Sequence, residues 1–190
     1  MNTNTLTLSL LLSSSLVAGC GGATGSTGFD DYADSEQIVS DFSEIVVIPG
    51  YELLATRLAE FAVAVEALSA DPTPANLTAA KEAWVSSRVP WEQSEGFLFG
   101  PVDSGGYDPA LDSWPVNRTD LDAVLSSDDA ITQAFVANLD DTLKGFHTAE
   151  YLLFGEENTK VVSDFSARDL EYTAAVAAEM ATISEALYKD

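Results

Sequence analysis

The chain contains a single histidine, His147. It lies in the run Gly145-Phe146-His147-Thr148-Ala149-Glu150-Tyr151-Leu152-Leu153-Phe154-Gly155. Three residues along a helix turn through about 300°, so His147 and Glu150 project from neighbouring positions on one face. An imidazole and a carboxylate so placed can chelate a metal ion, and di-iron bundles use a related pair at i, i+3. The same spacing also suits a plain hydrogen-bonded pair within a core. It is not His-Glu-x-x-His, so a zinc peptidase with a glutamate base between two histidine ligands cannot be read from it.

A second group surrounds Trp91. Glu92 and Glu95 are again three apart, and Arg88 stands four residues before Glu92, spaced for a helix ion pair. These charges are embedded among Trp84, Val89, Trp91, Phe97 and Phe99. Carboxylates held against aromatic bulk lose hydration and are driven towards the neutral form unless a cation is near, and Arg88 or a metal could be that cation. An exposed charged face and a buried polar site both fit the pattern. A third group, Asp103, Asp108 and Asp112 beside Trp114, lacks the Asp-x-Asp-x-Asp-Gly plan of a calcium loop and is equally suited to turns and helix caps. No Gly-x-Ser-x-Gly elbow and no phosphate-binding glycine loop occurs. No carboxylate pair is singled out for glycoside hydrolysis.

The elements that must carry these residues read as helices. Apolar residues recur three or four apart at Leu53, Leu54, Leu58, Phe61, Ala62, Val65 and Leu68, after a break or kink at Pro49-Gly50. Before that break, Ile38, Phe42, Ile45 and Val46 mark one apolar face. Thr73-Pro74 supplies N-cap and first-turn chemistry for a helix over about 75–95, with Leu77, Ala80, Ala83, Trp84 and Val89 facing inward and Pro90 kinking or ending it. Residues 100–115, rich in Gly, Pro and Asp, read as an ordered loop anchored by Tyr107, Leu111 and Trp114. Short helices follow at 120–125 and 129–139, then one at 142–154 closed by Gly155. Ser166-Ala167-Arg168-Asp169 is a capping box that opens a last helix over 167–188. With no convincing strand, the expected fold is all-α, an antiparallel helical bundle with one ordered Gly/Pro/Asp-rich loop.

Composition bounds the partners. The 190 residues carry 31 acidic and 8 basic side chains, a formal net charge of −23, and the basic residues are scattered. Nucleic acid binding needs clustered Lys and Arg, so nucleic acid is excluded as a partner, whereas cations are attracted. The one cysteine, Cys20, permits no internal disulfide. It follows a short apolar run over 6–17 and the small residues Ala18-Gly19, which resembles a bacterial lipobox, although residues 1–5 lack the usual positive charge. Residues 1–20 are therefore expected to be a lipoprotein signal with Cys20 lipidated. Residues 21–35 would form a flexible acidic, Gly/Ser-rich tether, and 36–190 the helical domain. That predicts export to the periplasm or outer membrane with a membrane anchor at the N-terminus.

Gly145–Gly155 is similar to the signature helix of the imelysin family. So are Trp84-x-x-x-Arg88-x-x-Trp91-Glu92-x-x-Glu95-x-Phe97-x-Phe99-Gly100-Pro101-Val102-Asp103 and Tyr107-Asp108-Pro109-x-Leu111-Asp112-Ser113-Trp114-Pro115, and Ile48-Pro49-Gly50-Tyr51 resembles the start of the family's first long helix. The resemblance implies a helical, exported bacterial protein whose relatives include iron-regulated proteins and periplasmic components of iron uptake. The founding member was described as a metallopeptidase. The resemblance makes His147 and Glu150 the metal or active-site pair, with Glu92, Glu95 and Asp112 as further ligands and Arg88, Trp91 and Trp114 supporting them. Family members are considerably longer and have two bundle-like halves, so ligands from a second half would lie outside this chain. Three readings follow. The first is a metal-binding protein of iron acquisition, with iron, zinc or copper in a mixed nitrogen/oxygen site and iron-uptake proteins as partners. The second is a metallopeptidase with Glu92 or Glu95 as base. The third is a structural or partner-binding surface lipoprotein.

Overall fold

The computed structural model describes Tyr32–Asp190, with side chains from residue 35 onward. Cys20, the lipobox and most of the expected tether lie outside the described residues. Among the described residues the structure is helical and contains no strand, in agreement with the all-α expectation. No described helix is long and apolar enough to cross a membrane.

Helix α1 (Tyr32–Phe42) continues through a π-helical turn (Ser43–Val47) into α2 (Ile48–Ala70). Pro49 lies in the first turn of α2, directly after the π-helical turn, so the expected break or kink falls where the continuous helix changes from π to α and does not interrupt it. Leu54, Leu58, Phe61, Val65 and Leu68, alternately four and three apart, form a single fully buried stripe on α2. That stripe packs against α3 (Pro74–Ser94) and α9 (Ala167–Lys189). The three-residue turn between α2 and α3 makes them antiparallel neighbours, and the Thr73 hydroxyl accepts from the Asn76 N–H as the expected cap. The Ser166–Asp169 capping box opens α9 with both reciprocal bonds formed. By contrast, the apolar face that runs from α1 into the π turn is only partly covered: Phe42 meets the Phe97 ring edge-on, while Ile38 and Ile45 are 66% and 71% exposed.

Several details of the expected helix pattern are corrected. Pro90 does not end α3, which runs on to Ser94; the complete burial of Pro90 and Trp91 offsets the missing backbone bond. Val89 faces outward and is exposed. The 100–115 segment is more regular than a loop, folding into α4 (Pro101–Ser104) and α5 (Tyr107–Asp112). Leu111, completely buried, ties α5 to the core.

Beyond the cis Trp114–Pro115 peptide, α6 (Arg118–Ser126) is capped by Asn117. The helix expected over 129–139 is confined to α7 (Gln133–Ala137), capped by Thr132. A 3₁₀ turn (Asp141–Leu143) then delivers the chain to α8 (Gly145–Phe154). Helix α8 lies against α9, α3 and α5, which places the histidine motif where three other elements converge.

Candidate metal centre

The site is built by the close approach of α5 and α8. Gly145 has φ +79°, and a Cβ there would stand 2.3 Å from the Leu111 carbonyl oxygen. Only glycine accommodates both the left-handed backbone and that contact. The result sets the C-terminal end of α5, bearing Asp112, beside the first turn of α8, bearing His147.

His147 stands between two carboxylates. Its Nε2 is 3.2 Å from Asp112 Oδ1, and its Nδ1 is 3.4 Å from Glu150 Oε2. Asp112 is the more enclosed, with 12% of its side chain exposed against 47% for Glu150. The Asp112 carboxylate also accepts from Arg88 Nη1 at 2.7 Å and from Trp91 Nε1 at 2.7 Å. Arg88 pairs through Nη2 with Glu92, as its spacing predicts, and its guanidinium lies 4.8 Å from the centre of the Phe146 ring. Trp84 donates from Nε1 to the Phe146 carbonyl at 3.1 Å. On the open side the Trp114 ring meets the His147 imidazole edge-on, 4.7 Å between centroids, while itself 71% exposed.

The structure thus brings together His147, Glu150, Asp112, Arg88, Trp91 and Trp114, and reaches Glu92 through Arg88. Glu95 is exposed in the 3₁₀ turn after α3 (Glu95–Phe97), and no described hydrogen bond or ion pair joins it to this network. Asp108 stays near the network, and among the described residues no ion pair joins it to a cation. Loss of hydration on burial, then the Asp112 and Asp103 charges, hold its carboxyl above the usual range.

The donor set suits a cation. Neutral imidazole carries one N–H, so it can donate to only one of the two carboxylates that flank it. At the other, a nitrogen lone pair faces a carboxylate oxygen, an arrangement that a proton or metal between them relieves. A 3.4 Å separation is long for a hydrogen bond. It lies within the span of two metal–ligand bonds of about 2.1 Å each. Among the described residues no group of three or more His, Cys, Asp and Glu side chains is gathered as a metal cluster. A cation on the His147–Glu150 pair would therefore share its remaining positions with water or with a ligand in the adjoining cleft.

That cleft has a volume of about 600 Å³ and is lined by His147, Glu150, Trp114, Tyr151, Phe154 and Arg118, among others. Arg118 pairs with Glu156 at 2.5 Å, donates to the Tyr151 hydroxyl and stacks 4.5 Å from that ring.

Residues 47–190 match the imelysin family. The chain belongs to that family. Iron-regulated protein A of Synechococcus elongatus is 38% identical over 120 residues, which is 63% of this chain and 32% of that protein. The crystal structure of a putative iron-regulated protein A precursor from Parabacteroides distasonis superposes with a TM-score of 0.70 at 32% identity, covering 80% of this chain and 43% of that one. An imelysin-like protein from Psychrobacter arcticum also gives a TM-score of 0.70, over 83% of this chain and 49% of its own; at 16% identity the likeness is one of fold. This imelysin chain spans less than half the length of each of these relatives.

Sequence reasoning did not single out Arg118 or Tyr151 as site residues. The signal was weak: Arg118 follows Asn117 in an ordinary helix start, and its partners Tyr151 and Glu156 are more than thirty residues away. Tyr151 and Phe154 sat in plain view within the motif, one and four residues after Glu150, but the direction they face follows only from how α8 is docked.

Proposed function

We propose that this imelysin-family protein is an exported, lipid-anchored metal-binding protein of iron acquisition, taking up a cation at His147 and Glu150. The observation that carries the reading is the facing pair His147 Nδ1 and Glu150 Oε2, 3.4 Å apart at the wall of an open cleft. A mixed nitrogen/oxygen set of this kind suits iron, zinc or copper. The names of two relatives, both iron-regulated protein A, support the iron context. A bound ion would supply a positive centre that holds an oxygen-donor ligand in the cleft. His147 and Glu150 bind it, Trp114 bounds it, and the Arg88–Asp112 pair keeps the inner wall in place.

The peptidase reading finds less support in the carboxylates available as base. Glu92 is engaged by Arg88, and Glu95 lies apart from the network. Export and lipidation rest on residues 1–20; labelled palmitate incorporated by the full chain and absent from Cys20→Ala would bear them out.

The test of the metal site is titration of the soluble protein with Fe²⁺, Zn²⁺ and Cu²⁺ by calorimetry, with bound metal counted after desalting. One equivalent of metal is expected, with affinity falling at least about tenfold in His147→Ala and in Glu150→Ala. No uptake by the wild type, or equal uptake by both variants, overturns the assignment.

A further inference from the structure

The resemblance to the imelysin family placed Asp112 among the metal ligands. Its surroundings favour a different role. Both carboxylate oxygens are already engaged, Oδ2 by the buried Trp91 indole at 2.7 Å and Oδ1 by Arg88 at 2.7 Å, with His147 Nε2 facing Oδ1 at 3.2 Å. Trp91 is completely buried, and the Arg88 side chain is 18% exposed and flanked by Phe146. A carboxylate clamped by a buried indole and a half-sequestered guanidinium cannot swing towards the cleft without orphaning both donors. It can, however, accept one more proton-bearing nitrogen on its third side.

We infer that Asp112 is a positioning residue: it holds neutral His147 as the Nε2–H tautomer, so that the Nδ1 lone pair is the one presented to Glu150 and the cleft. The ring has one proton and two carboxylates to choose between. The Asp112 contact is the shorter and the more enclosed, so its hydrogen bond is the less exposed to competition from water. Glu150, nearly half exposed, can satisfy its oxygens with solvent or a cation. Trp91 and Arg88 act through Asp112 by fixing its plane. Partners of this kind orient a ligating histidine and raise its basicity. The inference rests on the metal reading for its use, but the tautomer is a property of the chain itself.

Because His147 is the only histidine, its two ring nitrogens are the only imidazole signals in a ¹⁵N long-range correlation spectrum, and tautomer can be read directly. Under conditions where the spectrum shows a single ring proton, the metal-free protein is expected to carry it on Nε2. Glu150→Gln should keep that pattern. Asp112→Ala, checked for folding by circular dichroism, should shift the majority to Nδ1–H, with Glu150 the remaining acceptor, and weaken metal binding about 10- to 100-fold. A wild-type spectrum dominated by Nδ1–H overturns the inference, as does an Asp112→Ala protein that folds and keeps Nε2–H. Should Asp112→Ala not fold, the wild-type and Glu150→Gln spectra decide: Nε2–H in both supports the inference, and a change on removing the Glu150 charge overturns it. None of these spectra requires bound metal. Failure of metal binding with an Nε2–H tautomer removes the proposed function alone, and metal binding with an Nδ1–H tautomer removes this inference alone.

Discussion

At the residue scale, the site depends on one atom that is missing. Gly145 lets α8 begin directly against the last turn of α5, because a side chain there would collide with the Leu111 carbonyl and would also strain a backbone at φ +79°. Gly145→Ala is expected to cost about 3 kcal/mol in urea unfolding, combining left-handed strain with displacement of Leu111. It should also weaken metal binding, since retreat of α8 pulls His147 away from Asp112. Unchanged stability would mean that the α5–α8 contact is looser than described. Asp112, His147 and Glu150 form one chain of contacts, so their substitutions should not add independently.

At the element scale, short helices do the positioning, and a buried lysine fixes the approach to α8. The buried Lys144, immediately before α8, donates from Nζ to the Ala137 and Leu139 carbonyls and pairs with Asp141 at 3.1 Å. One ammonium thus closes the end of α7 (Gln133–Ala137) and fixes the 3₁₀ turn that leads into α8. Lys144→Met keeps the aliphatic stem and removes the charge; about 2 kcal/mol should be lost in thermal or urea unfolding. The loss should be accompanied by faster amide exchange in residues 137–144. A variant as stable as the wild type would show that these carbonyls are satisfied by water.

For the whole molecule, charge is the dominant long-range property. The chain carries a net charge of −23, and the proposed ligand of the cleft is a cation. The apparent affinity for a divalent metal should therefore fall several-fold between low salt and about 0.5 M salt, where the screening length shrinks below about 5 Å. A flat salt dependence would indicate that only the local carboxylates matter. The bundle core formed by α2, α3 and α9 stands apart from this field. Its stripe of Leu54, Leu58, Phe61, Val65 and Leu68 is apolar and buried, and its stabilisation is the area-proportional hydrophobic term.

Sequence alone determined the local features. Thr73-Pro74 and Ser166–Asp169 start helices because side-chain oxygens satisfy orphan backbone donors, and that chemistry is settled within four residues. The α2 stripe was legible because helical periodicity is itself local, and the His147–Glu150 and Arg88–Glu92 pairs because i, i+3 and i, i+4 neighbours share a face. Only the tertiary structure decided what those faces meet. Ile38, Ile45 and Val89 looked like core, yet all three stay largely exposed. Pro90 left open whether its helix would kink or end, and α3 runs through it to Ser94 with Pro90 and Trp91 buried against the core. Asp112 and Glu95 were indistinguishable as carboxylates in a motif. Packing of α5 against α8 placed one beside the histidine and left the other in solvent, because such contacts join residues dozens of positions apart and depend on the docking of whole helices rather than on spacing along the chain.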